Sequence, residues 1–255
     1  MGCWLQKGVS YFLLLFLSLF PLQKGMAEEL VELSSTDWEP YAGEQLANYG
    51  FFSEIVTEAF KRENYKVQYS FRPWTRALRD AREGKVHGVM VAYRQAEREK
   101  YLAYPDVVLH VKEEFIVLKD RAVTYTGKLR DLGKLSIGVL RGSLEADELN
   151  AAGLNTVQVY RLIDGVRMLS RERIDAVLLP RIVYSYYVTQ LDPNIFKRPQ
   201  IKILEPPYKT YELYVAFSKK KPNYVKLTED FNQGLKKIKQ DGTFDKIIHQ
   251  YVWDE

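Results

Sequence analysis

Arg98 is the residue of this chain best suited to hold a ligand. It lies in the stretch Phe71 to Pro105, FRPWTRALRDAREGKVHGVMVAYRQAEREKYLAYP. A guanidinium is planar and donates two parallel hydrogen bonds, so it suits a carboxylate or a phosphate. Tyr93, Arg94, Tyr101 and Tyr104 are its aromatic and basic neighbours, and Trp74 lies upstream. Glu97 and Glu99 read as solvated. Two further stretches carry similar chemistry. SSTDWEPYAG (34–43) presents Trp38 and Tyr41 between breakers Pro40 and Gly43. Arg141-Gly142-Ser143 joins an apolar run to a polar one, and backbone N–H groups at a strand-to-helix turn attract anions. Arg141 would add a second positive charge there. Trp74, Tyr93, Tyr184 and Tyr208 are candidate walls, since pockets are mostly apolar and aromatic with a few polar anchors. Trp38 and Trp74 also offer faces on which a cationic group stacks.

Catalytic and metal-binding patterns are poor by comparison. His87, His110 and His249 fall in unrelated segments, and neither HExxH nor a Cys/His cluster occurs. No catalytic residue, metal site or cofactor is expected. The only cysteine, Cys3, belongs to a leader-like segment: Lys7, an apolar run from about Val9 to Leu22, then Gly25-Met26-Ala27. That run is shorter than the ~20 residues of a span. The expectation is a signal peptide over 1–27, cleaved after Ala27, and export. Cleavage would leave 228 residues without cysteine, held by their cores rather than by disulfides. It would also remove Lys7 and Lys24, lowering the net charge from +4 to +2. That near-neutral balance argues against nucleic acid as a partner.

These residues need elements to position them. Residues 74, 77, 78 and 81 fit one helical face at i, i+3, i+4, i+7, with Gly84 as C-cap. The strand Val86–Ala92 then points at the Arg98 loop, and ligands of open α/β sheets lie beyond such strand ends. Leu30–Leu33 reads as a first strand. Phe52, Ile55, Val56, Ala59 and Phe60 form the core stripe of a helix, and Val67–Phe71 alternates as a strand. Glu114–Leu118, Lys134–Leu140, Val157–Tyr160, Ile174–Leu179 and Val215–Phe217 are further strands. Helices are predicted at 144–151, 162–171 and 182–190, after Pro222, and again around Phe244–Tyr251. ALRDAREGKVHGVMVAYR (77–94) parallels GVRMLSRERIDAVLLPRI (165–182): helix, basic turn, apolar strand, polar break. Strands alternating with helices imply parallel pairing, so the repeat predicts two α/β lobes. Phe115–Leu118 and Tyr211–Phe217 are the candidate crossings between them.

The ordered set of motifs resembles the bacterial extracellular solute-binding proteins, family 3, over essentially all of Leu30 to Asp254. The carriers are SSTDWEPYAG with YGFFSEIVTEAF, PWTRALRDAREGKVHGVMVAY, AEREKYLAYPD, DLGKLSIGVLRGS and RIDAVLL. The resemblance implies a two-lobed, type II periplasmic-binding-protein-like α/β fold with two mixed, mostly parallel sheets joined by a two-strand hinge. Lobe one would take 28–118 and the return segment 212–255, and lobe two 119–211. It implies a monomer that captures a small carboxylate-bearing, anionic or zwitterionic solute by hinge closure and passes it to a membrane permease of ABC type. Arg98 matches the arginine that grips the ligand carboxylate. Gly142 and Ser143 match donors to the same group, Tyr41 or Trp38 the aromatic stacked on the ligand, and Tyr93 a serine position. One departure stands out: the aspartate that pairs the ligand ammonium falls at Pro180, which carries no charge. Other family roles are an exported dehydratase of the cyclohexadienyl type, which needs an acid or base in the cleft, and a soluble receptor for a membrane sensor.

Overall fold

The computed structural model describes residues 28–191 and 200–251. The expected signal peptide lies outside the described residues. The chain first builds β1 (Glu29–Ser35), α1 (Phe51–Lys61), β2 (Tyr65–Phe71), α2 (Trp74–Arg82) and β3 (Gly88–Tyr93). A short helix α3 (Ala96–Glu99), β4 (Leu102–Ala103) and the long β5 (Leu109–Leu118) follow. The next run is β6 (Ser136–Leu140), α4 (Leu144–Ala151), β7 (Asn155–Val159), α5 (Leu162–Ser170), β8 (Ala176–Leu179) and α6 (Arg181–Thr189). β9 (Ile201–Ile203), β10 (Lys209–Ser218), α7 (Tyr224–Gln240) and α8 (Thr243–Tyr251) complete it. No helix among the described residues is long and apolar enough to cross a membrane.

The internal repeat is real in three dimensions. β1 pairs in parallel with β2 and β3, and β6 pairs in parallel with β7 and β8. Each triplet thus has its first strand in the middle, with helices α1 and α2 or α4 and α5 making the crossovers. The expectation of two separate, mostly parallel sheets is corrected. The strands form one mixed sheet in the order β2-β1-β3-β10-β5-β8-β6-β7, with β4 beside β10 and β9 beside β5. The physical reason is the length of β5. Its residues 109–113 pair antiparallel with β10, and 114–118 pair antiparallel with β8 and β9. The return segment runs alongside: the Leu204 and Tyr208 N–H groups donate to the Phe115 and Glu113 carbonyls at 2.9 and 2.8 Å.

The core follows the apolar periodicity. Phe52, Ile55, Val56, Ala59 and Phe60 of α1 are all fully buried. They meet Leu227, Phe231, Leu235 and Ile238 of α7, with the Phe60 and Phe231 rings 5.3 Å apart. A second cluster joins Phe115, Val117, Ile137, Val139, Leu149 and Leu178 beneath β6 and β8. A third packs Trp74, Ala77 and Ala81 of α2 on Val89 and Ala92 of β3.

Candidate functional site

The carboxyl ends of β1, β3 and β6 converge on a partly open cavity of about 50 Å³ between the two triplets. Thr36, Trp38, Trp74, Val91, Tyr93 and Arg98 line it from the first triplet. Val139, Leu140, Ser143, Leu144, Glu145, Leu162, Leu178, Leu179 and Pro180 line it from the second, and Glu113 comes from β5 between them.

Each side chain is placed by local backbone logic. Trp74 opens α2, directly after Pro73, whose fixed φ suits a helix start. Tyr93 ends β3, where the register against β10 shifts and Val91 adopts φ +53°. A bulge of this kind re-aims the following side chain, and a β-branched residue at positive φ is strained backbone of the sort that clusters at binding sites. Tyr93 is thereby turned inward, its ring edge-on to Trp38 at 5.7 Å and stacked on Tyr211 at 4.6 Å. Gly142 takes φ +72°, a region that favours glycine, and lets the chain turn from β6 into α4. Ser143 caps that helix by accepting the Ala146 N–H at 3.1 Å.

Arg98 is 5 % exposed. Its guanidinium lies 5.5 Å from the Trp74 ring and donates to the Tyr93 carbonyl at 3.4 Å and the Gly142 carbonyl at 3.1 Å. It therefore touches both sides of the cavity. Of the expected binding residues, Trp38, Trp74, Tyr93, Arg98 and Ser143 meet here. Gly142 stands just behind, as the acceptor for Arg98. Tyr41 is buried behind Trp38, stacked on it at 4.9 Å, and is not part of the lining. Arg141 is turned away: it is exposed, 5.2 Å from the Tyr160 ring and bonded to the Tyr160 hydroxyl at 2.5 Å. Arg141 lies in the turn just past the end of β6, where its side chain is held outward on Tyr160. Tyr184 and Tyr208 also lie off the cavity; the Tyr208 hydroxyl donates to Glu148 at 2.7 Å.

Two carboxyl groups join the site that sequence reading missed. Glu113 is 2 % exposed and Glu145 8 %. The Tyr93 hydroxyl donates to Glu113 Oε1 at 2.7 Å, while Glu113 Oε2 and Glu145 Oε2 are offered no donor from outside the pair. Burial pushes the Glu113 carboxyl well above the ordinary range, and the facing Glu145 charge raises it further. Burial also raises Glu145, opposed by hydrogen bonds from its own backbone, Ser143 and Glu113 and by the Arg98 charge. A signal existed. In LHVKEEFIVL, period-two alternation puts Glu113 in register with Val111 and Phe115. Beginning the strand at Glu114 hides that register.

The sequence profile of the bacterial extracellular solute-binding proteins, family 3, matches residues 32–254. The chain belongs to that family. It is a periplasmic solute-binding protein for a small molecule, with an ABC-type permease as its partner, and a binding protein rather than an enzyme. It is 24 % identical over 235 residues to the "Arginine-binding extracellular protein ArtP" of Bacillus subtilis (strain 168), covering 89 % of this chain and 88 % of that one. It is 22 % identical over 211 residues to the "Probable histidine-binding protein" of Neisseria gonorrhoeae, covering 81 % and 75 %. Among solved structures, "An ancestral arginine-binding protein bound to glutamine" superposes with a TM-score of 0.74 at 23 % identity, covering 88 % of this chain and 98 % of that one. The type II periplasmic-binding-protein-like fold is thus shared by this binding protein.

Proposed function

We propose that this binding protein takes an amino-acid-type solute into the cavity between two lobes, with the solute carboxylate on Arg98. Lobe one comprises 28–118 and 212–255, lobe two 119–211, and β5 with the return segment into β10 forms the hinge on which they close. The observation that carries the reading is the cavity in which a buried guanidinium faces aromatic walls and a helix N-terminus. Trp38, Trp74 and Tyr93 supply apolar contact, and the α4 N-terminus at Ser143 adds favourable potential for an anionic group. On ligand arrival the Arg98 donors exchange backbone carbonyls for a carboxylate. The names of the relatives, which speak of arginine, histidine and glutamine, favour amino acids over other carboxylates. The protein acts as a monomer.

Isothermal titration with L-arginine, L-histidine, L-glutamine and then the remaining standard amino acids and simple carboxylic acids tests this. Saturable binding is expected for at least one amino acid. Arg98→Gln should weaken that binding about 10- to 100-fold, the size of a lost charge-assisted contact. A folded Arg98→Gln protein with unchanged affinity would sink the role of Arg98, and silence across both ligand classes would sink the solute class.

A further inference from the structure

We propose that Glu113 and Glu145 form the ammonium subsite of this cavity, holding the cationic nitrogen of the solute whose carboxylate meets Arg98. This rests on the amino-acid reading above.

The geometry is specific. Glu113 arrives from β5 and Glu145 from the first turn of α4, so the pair is complete only when the two sides of the cavity are together. Both side chains line the cavity, both are more than nine-tenths buried, and each presents one oxygen that no group outside the pair donates to. A buried carboxylate oxygen left unpaired is costly unless something donates to it. An ammonium brings three N–H donors and a positive charge. Arg98, Ser143, Glu113 and Glu145 line the same small cavity, and the Arg98 charge acts on Glu145, so a solute with its carboxylate on Arg98 would bring a neighbouring ammonium towards the pair.

Other occupants fit less well. A hard metal ion takes six or more oxygen ligands, and only two unpartnered carboxylate oxygens are present among the described cavity residues. No cluster of three or more His, Cys, Asp or Glu suited to a metal occurs among the described residues. The Trp38, Trp74 and Tyr93 rings favour an organic cation instead.

The pair has a second property. Facing carboxyls in a low-dielectric site cannot both ionise easily, so they retain a proton. The groups around them are the Tyr93 hydroxyl from β3, Arg98 from α3, Glu114 beside Glu113 on β5, Ser143 capping α4, Tyr208 just before β10 and Tyr211 on it. Of these only Arg98 is cationic, and it is already engaged with two carbonyls. Arrival of an ammonium replaces the retained proton, which passes to the buffer.

The test uses the whole exported protein and whichever L-amino acid binds in the titration above, beside the analogue with hydrogen in place of the α-amine. Wild-type protein should bind the amino acid at least about 10-fold more tightly than the analogue. Glu113→Gln and Glu145→Gln should each remove most of that preference while leaving analogue binding unchanged or improved. Titration in phosphate and in Tris at pH 7 should show proton release by wild type and none by either Gln variant. Equal affinity of wild type for the two ligands would overturn the subsite while leaving the solute reading standing. Equal weakening of both ligands by the Gln variants would do the same. If neither ligand class binds wild type, the solute reading falls and the subsite with it. Melting curves of the two isosteric variants confirm folding, and a hydrophobic Glu113→Leu variant that still prefers the amine would also overturn the proposal.

Discussion

Burial raises the Glu113 carboxyl well above its ordinary value of 4.5, with the Glu145 charge adding to the effect, and Glu145 itself is raised by burial. A carboxyl that binds its proton more tightly when folded stabilises the fold at low pH. That contribution is complete below about pH 4.5 and is lost as pH rises through the folded values. Glu39, raised by burial, acts with the same sign. His87 is lowered from 6.5 by burial and by Lys221, so its contribution runs the other way, appearing as pH rises. Asp175 is instead held below 3.8: burial alone would raise it, but the Ser136 N–H and hydroxyl and the Arg121 charge outweigh burial, so its contribution fades only in strong acid. The informative quantity is therefore a difference between variants. Unliganded Glu113→Gln should melt higher than wild type at pH 8 and show little difference at pH 4.5. Thermal melts across that range check it, and a constant offset would refute the assignment.

At the level of elements, the contact of α1 with α7 is the tightest test of the packing. A Cβ on Gly234 would sit 2.0 Å from the Ala59 carbonyl oxygen and 2.7 Å from its carbon. Both obstacles are backbone, so neither can rotate aside. Gly234→Ala should push the helices apart and cost about 1–3 kcal/mol, read as a lower urea midpoint, whereas Gly153→Ala meets nothing within 4 Å and is strained only by φ. The stripe that α1 buries was legible as Phe52, Ile55, Val56, Ala59 and Phe60, because helical periodicity is a local property. So were α2 and the strand after it, and the bounds of α4. The single sheet was not legible. Whether two triplets remain separate depends on how far β5 runs, and its first half, LHVKE, is too polar to signal a strand by its apolar content. The site divides along the same line. Trp38, Trp74, Tyr93, Arg98 and Ser143 follow strand ends and turns, which sequence marks. Glu113 depends on which face of a strand its side chain takes, and one residue of register reverses that, while Arg141 sits in the turn after β6, where no periodicity marks its direction.

Across the whole molecule, a few polar contacts tie the two sides of the cavity together. The Tyr187 hydroxyl on α6 donates to Glu39 in the loop after β1. Gln95 donates to Asp147 on α4 at 3.3 Å, and Arg98 to the Gly142 carbonyl at 3.1 Å. On the β10 side, Glu148 of α4 accepts from Tyr208, Tyr211 and Lys209. Burial acts to raise Glu148, yet these donors hold its carboxyl below the usual value, so it stays ionised and bonded. If closure is what binds solute, removing one tie should reduce affinity without touching the ligand. Tyr187 is well buried and does not line the cavity, which makes it the cleanest choice. Tyr187→Phe keeps the ring and deletes one hydrogen bond to a carboxylate. Such a bond contributes about 1.5–3 kcal/mol, which bounds the loss of affinity at roughly 10- to 100-fold. The observed loss is smaller if the unliganded protein is already largely closed, because apparent affinity scales with the competent fraction. Small-angle scattering should show a larger radius of gyration for the unliganded variant than for wild type, converging when ligand saturates both. Tyr160→Phe, on the outer face beside Arg141, should change neither measurement. Unaltered affinity and scattering in Tyr187→Phe would mean that the Glu39 contact does not govern closure.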